Sequence, residues 1–131
     1  MCAAATFDPH PAQTENENYA MSTDVQPTNA NYAVKNVETV VASRDVQARI
    51  FTLAVGEVIP WHFHSETTDH YFVLSGTLTV ETRAPGGERT LGVGERYHLA
   101  PGNAHAVSNH GATDCRFLLL QGVGRYDWIK A

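Results

Sequence analysis

Two histidines stand one residue apart in Trp61-His62-Phe63-His64. On a β-strand, residues i and i+2 face the same side. The two imidazoles would therefore aim at one point. An acid, Asp69, comes five residues after His64, and a third histidine, His105, lies downstream. Imidazole nitrogens with a carboxylate oxygen form a ligand set for a first-row transition metal. Such a metal can polarise a bound oxygen or lower the pKa of a bound water. Tyr71 lies two residues beyond Asp69, so strand parity turns it to the same side. Its phenol could donate a hydrogen bond to a bound molecule or pass a proton, which makes it the candidate catalytic residue. The competing reading is a wall tyrosine with its hydroxyl tied to backbone.

Other polar residues fit the pattern less well. Glu66 is a second carboxylate near His64, but its position suits a solvated turn. His70 faces away by parity, and His98 and His110 have no role in the spacing. Tyr97 and Trp128 are weaker candidates for a pocket wall. Arg49, Arg83, Arg89, Arg96 and Arg116 could serve an anionic group, but parity does not place them.

The elements that must carry these side chains are short strands. From Val34 onward, β-branched and large apolar residues alternate with polar ones. Turn signals recur at Val55-Gly56, Ser75-Gly76, Pro85-Gly86-Gly87, Gly92-Val93-Gly94, Pro101-Gly102, Asn109-His110-Gly111 and Gly122-Val123-Gly124. No segment from 50 to 121 shows a helical stripe. That pattern predicts an all-β sandwich, jelly roll or barrel. Tyr71–Thr82 reads as a strand, a glycine break and a strand. Arg83–Arg89 reads as a hairpin loop with Pro-Gly-Gly at its tip. The apolar run Cys115–Gln121 predicts a strand covered on both faces. Pro60 is expected on the face of His62 and His64, and Trp61 and Phe63 on the other. With Phe72 and Leu74 also outward, the apolar outer residues predict a dimer interface or cover by the segment from Val34 on.

Residues 1–33 are rich in Asn, Thr, Gln, Ala and Pro and lack apolar periodicity. They read as a disordered tail, because such a composition cannot offset the entropy of ordering. The domain is expected at 34–131. The chain has 131 residues, enough for one domain, and its 43% hydrophobic content allows a packed core. Its net charge of −5 lacks the basic footprint that nucleic acid requires. No apolar run approaches a membrane span, and the first residues do not read as a secretory signal. Two cysteines, Cys2 and Cys115, make no disulfide framework. A reducing, cytoplasmic setting is expected.

The spacing resembles that of the cupin family. Its first motif runs Gly, five residues, His-x-His, three or four residues, Glu, six residues, Gly. Gly56, His62, His64 and Gly76 match, with Asp69 in place of Glu. Its second motif runs Gly, five residues, Pro-x-Gly-x-x-His, three residues, Asn. Gly94, Gly102, His105 and Asn109 match, with Ala100 at the proline position and Pro101 after it. The match covers about residues 50–121.

The resemblance implies an antiparallel double-stranded β-helix, a jelly-roll barrel, with one divalent metal inside. Iron, manganese, nickel, copper and zinc all suit imidazole. It implies His62, His64 and His105 as ligands, and Asp69 as the fourth. Asp is one methylene shorter than Glu and reaches about 1.5 Å less. Asp69 would bind the metal directly, or act through water or by holding a ligand ring. Asn109, beside His110-Gly111, suits closing a turn. The resemblance further implies a homodimer, and an enzyme acting on a small organic molecule, with oxygenase chemistry first and isomerase or lyase chemistry next. The alternative is a binding or sensing module without turnover. No output element such as a helix-turn-helix is visible to serve a sensor.

Overall fold

The computed structural model describes residues 32–131, and among these there is no helix. The strands are β1 (Asn36–Ala42), β2 (Val46–Leu53), β3 (Val58–Phe63), β4 (Thr68–Ser75), β5 (Leu78–Arg83), β6 (Gly86–Leu91), β7 (Arg96–Leu99), β8 (His105–Ser108), β9 (Cys115–Gly122) and β10 (Ile129–Lys130). They form two sheets, ordered β1-β2-β9-β4-β7 and β10-β3-β8-β5-β6. The pairings are antiparallel. This is the expected all-β double-stranded β-helix. Nearly all of the expected 1–33 tail lies outside the described residues.

The inner faces follow the period-2 pattern of the sequence. Phe51 and Leu53 of β2, Tyr71 and Val73 of β4, and Phe117 and Leu119 of β9 point inward from the first sheet. They meet Ile59, Leu78, Val80, Leu91 and Val107 of the second sheet. Phe51 and Phe117 stack at 5.3 Å between ring centroids. Each such buried side chain contributes about 1.5–3 kcal/mol by leaving water.

The turns are set by a few backbone positions. Gly76 ends β4 with φ +78°, and a Cβ there would lie 2.5 Å from the Asp114 carbonyl oxygen. Any larger residue would be strained and would clash with backbone. Gly102, with φ +82°, donates its N–H to the His64 carbonyl at 2.8 Å. That bond ties the loop before β8 to the end of β3. Asn109 is fully buried. Its Nδ2 donates to the carbonyls of Leu53 and Thr113, and its Oδ1 accepts the Gly111 N–H. It closes a turn, as expected.

Several local expectations are corrected. The 83–89 loop is much shorter, because β5 and β6 pair as far as Arg83 and Gly86. Only Ala84 and Pro85 turn the chain, and Gly86, Gly87 and Glu88 lie in the strand. β9 is not covered on both faces. Cys115, Phe117, Leu119 and Gln121 are buried, while Leu118 and Leu120 are half-buried and Arg116 is exposed. Pro60 does not share the histidine face. The β3–β8 ladder has an irregularity between Ile59 and His62, so Ile59 and His62 both turn inward. Proline cannot donate to the ladder, and such a bulge is where it is tolerated. The segment from Val34 joins the first sheet as edge strand β1, and packs Val34 and Val37 on the core. Cys115 is a free, buried thiol whose pKa burial pushes up to about 11.

Asn109→Ala would strand two backbone carbonyls and one N–H. Stability should fall by about 3 kcal/mol in urea unfolding. A loss under about 1 kcal/mol would show that these bonds do not hold the turn.

Candidate metal centre

His62 lies near the end of β3, His64 just after it, and His105 opens β8 as the ladder partner of His62. The Pro60 bulge turns His62 inward, and the Gly102–His64 bond holds the two loops together. All three rings are buried. Their centroids lie 4.9 Å (His62–His64), 4.4 Å (His62–His105) and 5.5 Å (His64–His105) apart. They offer ligand nitrogens within 4.8 Å of one another.

The tautomers follow from the backbone. Nδ1 of His62 lies 2.6 Å from the Pro60 carbonyl, Nδ1 of His64 2.6 Å from that of Asp127, and Nδ1 of His105 2.7 Å from that of Asn103. A carbonyl only accepts, so each Nδ1 carries the hydrogen. In a neutral ring Nε2 is then left with the lone pair. A ligating histidine usually donates its other ring N–H to a carbonyl, carboxylate or water in this way. Nε2 of His105 is buried without a hydrogen-bond partner. The donor set and this orphaned nitrogen fit a metal ion.

Asp69 is buried beside the histidines but outside their close set. Its Oδ2 lies 3.4 Å from Nε2 of His64 and 3.1 Å from Nε2 of His105, the latter without hydrogen-bond geometry. Oδ2 accepts the Tyr71 hydroxyl at 2.8 Å, and Oδ1 accepts Nε2 of Gln121 at 2.9 Å. Tyr71 thus points toward the site, with its hydroxyl engaged by Asp69 rather than by backbone.

The charge states follow. Burial is the largest influence on His62, and with its histidine neighbours it lowers the pKa to about 3, so the ring is neutral. Burial also acts to lower that of His64, but the Asp69 carboxylate outweighs it and the value rises. For Asp69, burial acts upward, but His105 and His64 outweigh it and hold the carboxyl well below its usual range. Burial and then the Asp69 charge push Tyr71 well above an ordinary phenol.

A cavity of about 20 Å³ adjoins the histidines, room for about one ion or water. Tyr32, Tyr126 and Trp128 are its half-buried walls, and the other lining residues are buried. Trp128 stacks on His62 at 4.8 Å, and Tyr32 stacks on Trp128 at 5.9 Å. Trp128 is therefore in the wall, as weighed from sequence, whereas Tyr97 packs against the core elsewhere. Glu66 is exposed and accepts the Arg125 N–H. His70 and His98 face each other away from the cavity, and His110 meets the Ser108 hydroxyl. Arg83 lies on Trp61 and Arg89 on Tyr97, both away from the site.

Gln47, Gln121 and Asp127 escaped the sequence reading, and Arg49 was named there without a place. Arg49 and Gln121 face the cavity, and Nη2 of Arg49 donates to Oε1 of Gln121 at 2.8 Å. Gln47 donates to the same oxygen. Their signal was present: Arg49 shares inward parity with Phe51, and Gln121 breaks an apolar run at an inward position. Asp127 had no local signal. Its carbonyl holds His64 and its carboxylate binds Ser65 through both N–H and hydroxyl.

The Cupin domain family model matches residues 49–121. The chain belongs to the cupin family. Solved structures agree on the fold of this cupin. An uncharacterized conserved protein with a double-stranded β-helix domain from Klebsiella pneumoniae is 22% identical, with TM-score 0.66, over 81% of this chain and 89% of that one. A cupin-2 domain protein from Shewanella frigidimarina is 20% identical, with TM-score 0.57, over 84% and 97%. An oxalate oxidase is 20% identical, with TM-score 0.60, over 66% of this chain and 46% of that one. No curated protein sequence matches this cupin.

The neutral His62 gives stability a pH slope. Between about 3 and 6.5 the unfolded chain binds a proton at His62 that the folded chain does not, so stability falls as pH drops below 6.5. His64 acts the other way: its raised value favours the protonated ring in the fold, a contribution lost as pH rises through that value. His62→Gln should flatten the acid-side fall in urea midpoints of metal-free protein. A variant slope equal to wild type would show that His62 is not the source.

Proposed function

We propose that this cupin holds one divalent first-row transition metal on Nε2 of His62, His64 and His105, and is an enzyme acting on a small organic molecule. The observation that carries this reading is the set of three Nδ1 atoms fixed by backbone carbonyls, with their Nε2 atoms converging. Iron, manganese, nickel, copper and zinc remain the candidates. When bound, such an ion supplies Lewis-acid or redox chemistry at its open positions.

The chain's own groups have defined tasks in this reading. Asp69, ionised and buried, balances the centre's charge with Oδ2 turned to His64 and His105. Tyr71 stays protonated and orients Asp69 through its hydroxyl. Gln121 fixes the other carboxylate oxygen. Asp69 thus acts beside the three nitrogens and supports them. The aromatic wall of Tyr126 and Trp128 excludes water. Oxygenase chemistry comes first, with isomerase or lyase chemistry next. One of the similar structures is an oxalate oxidase, and another is a cupin-superfamily sugar phosphate isomerase from Silicibacter pomeroyi at 21% identity and TM-score 0.54, over 60% of this chain and 50% of that one. The small cavity favours a second reading, a binding module without turnover.

Metal analysis after purification without added metal should give close to one ion per chain. His62→Ala and His105→Ala should lose it, while Asp69→Asn should weaken affinity by about 10- to 100-fold. A wild type well below one ion per chain, or full content in His62→Ala, would sink the metal assignment. Oxygen uptake and turnover of thiols, diketones, phenols and uronates separate the two readings: tight binding of a compound recovered unchanged favours the binding module.

The proposed assembly is a homodimer. Ile50, Phe72, Leu118 and Leu120 lie outward on neighbouring strands of the first sheet and are half-buried in the single chain. Light scattering should give twice the chain mass for wild type and a monomer for Leu118→Glu. A monomeric wild type ends this part of the reading.

A further inference from the structure

Arg49 is a buried cation with unused donors. It is 1% exposed, its Nη2 donates to the neutral Gln121 amide, and the Tyr126 hydroxyl is within its reach. Its Nε and Nη1 are buried without a hydrogen-bond partner. Among the described residues no carboxylate forms an ion pair with it. Asp69 is one residue removed, on the far side of Gln121, and its oxygens already serve Tyr71 and Gln121. Tyr126 stays protonated, chiefly through burial, and brings no charge. A guanidinium taken out of water with open N–H groups is costly unless an anion meets it.

We propose that Arg49 is the anion receptor of this cavity, and that the ligand is a small monocarboxylate bound at its free N–H groups. This rests on the reading of the cavity as a ligand site beside the histidines. Three observations choose the carboxylate. Arg49 is the one Lys or Arg side chain among the described lining residues, so no second cationic side chain is there to hold a phosphate dianion beside the ionised Asp69. The guanidinium carbon lies 5.1 Å from the Phe51 ring centroid and 5.3 Å from that of Tyr126. With two rings in contact, the guanidinium is best addressed along its edge, and a planar carboxylate meets an edge well. Phe51, Ile59 and Leu119 give apolar walls to the remainder of the ligand. The cavity holds little beyond an ion as it stands, so the ligand is small, and the half-buried pair Tyr32 and Trp128 gives way to admit it.

Thermal unfolding of the full-length, metal-free chain tests this without turnover. Sodium propionate, propionamide of the same shape, sodium phosphate and sodium chloride are compared at matched ionic strength. Propionate should raise the Tm in a saturable manner, whereas propionamide and phosphate should do no more than chloride. Arg49→Met should weaken propionate binding at least about tenfold, the loss expected for a charged hydrogen bond. If Arg49→Met does not fold, the contrast of propionate with propionamide in wild type and a weakened response in Arg49→Lys decide. An equal response to propionamide, a larger one to phosphate, no response to any, or an unchanged response in the folded Arg49 variant overturns the proposal. Metal uptake is measured separately: a chain that takes up metal but ignores propionate refutes Arg49 alone, and one that binds propionate but takes up no metal refutes the centre alone.

Discussion

Three backbone carbonyls, those of Pro60, Asn103 and Asp127, meet the Nδ1 atoms of His62, His105 and His64, and the site depends on those contacts. Each fixes which nitrogen carries hydrogen and which way the ring faces. A side-chain partner could swing away, whereas a carbonyl moves only with the chain. The bulge in β3, the Gly102 turn and the segment after β9 are thus parts of one device that orients three rings. A rigid barrel beneath them keeps the positions fixed, as a preorganised site requires.

The inner face of the first sheet changes character along its strands. On β2 it runs from Gln47 and Arg49 to Phe51 and Leu53. On β9 it runs from Gln121 to Leu119, Phe117 and Cys115, and on β4 from Asp69 to Tyr71 and Val73. Because the strands are antiparallel in register, the polar ends fall together. One end of the barrel is a solid apolar core, and the other is a polar chamber whose groups satisfy one another through Gln121. A buried polar network of this kind is favourable only when its members are paired. The unpaired nitrogens of Arg49, His105 and Trp128 therefore stand out against the groups that Gln121 joins.

Much of this was legible in the sequence. The alternation of apolar residues and the spaced glycines predicted the all-β barrel, and the two histidine motifs predicted which rings would meet. Parity placed Asp69, Tyr71 and Val73 inward and Phe72 outward. It failed at Pro60, because a bulge resets alternation and a missing N–H gives no count of how many residues it absorbs. It overextended the loop at 83–89, because glycines in an edge hairpin look like turn residues even when paired. Arg49 was visible but unplaced, since a lone arginine on a strand is more often a surface residue. Asp127 could not be found at all: its role is set by tertiary docking on His64, with no short-range pattern.

The His64–Asp127 contact spans 63 positions of chain. The loops that present His62 and His105 are local or joined by neighbouring strands, but the ring of His64 is held only once β9 is in place and the following segment has folded back across the chamber. Contacts of long sequence separation form late, because loop closure must precede them. Orientation of the third ring thus requires the segment after β9 to be docked. A partly folded chain would present two oriented imidazoles and a third free to turn, so capture of an ion would mark the finished protein.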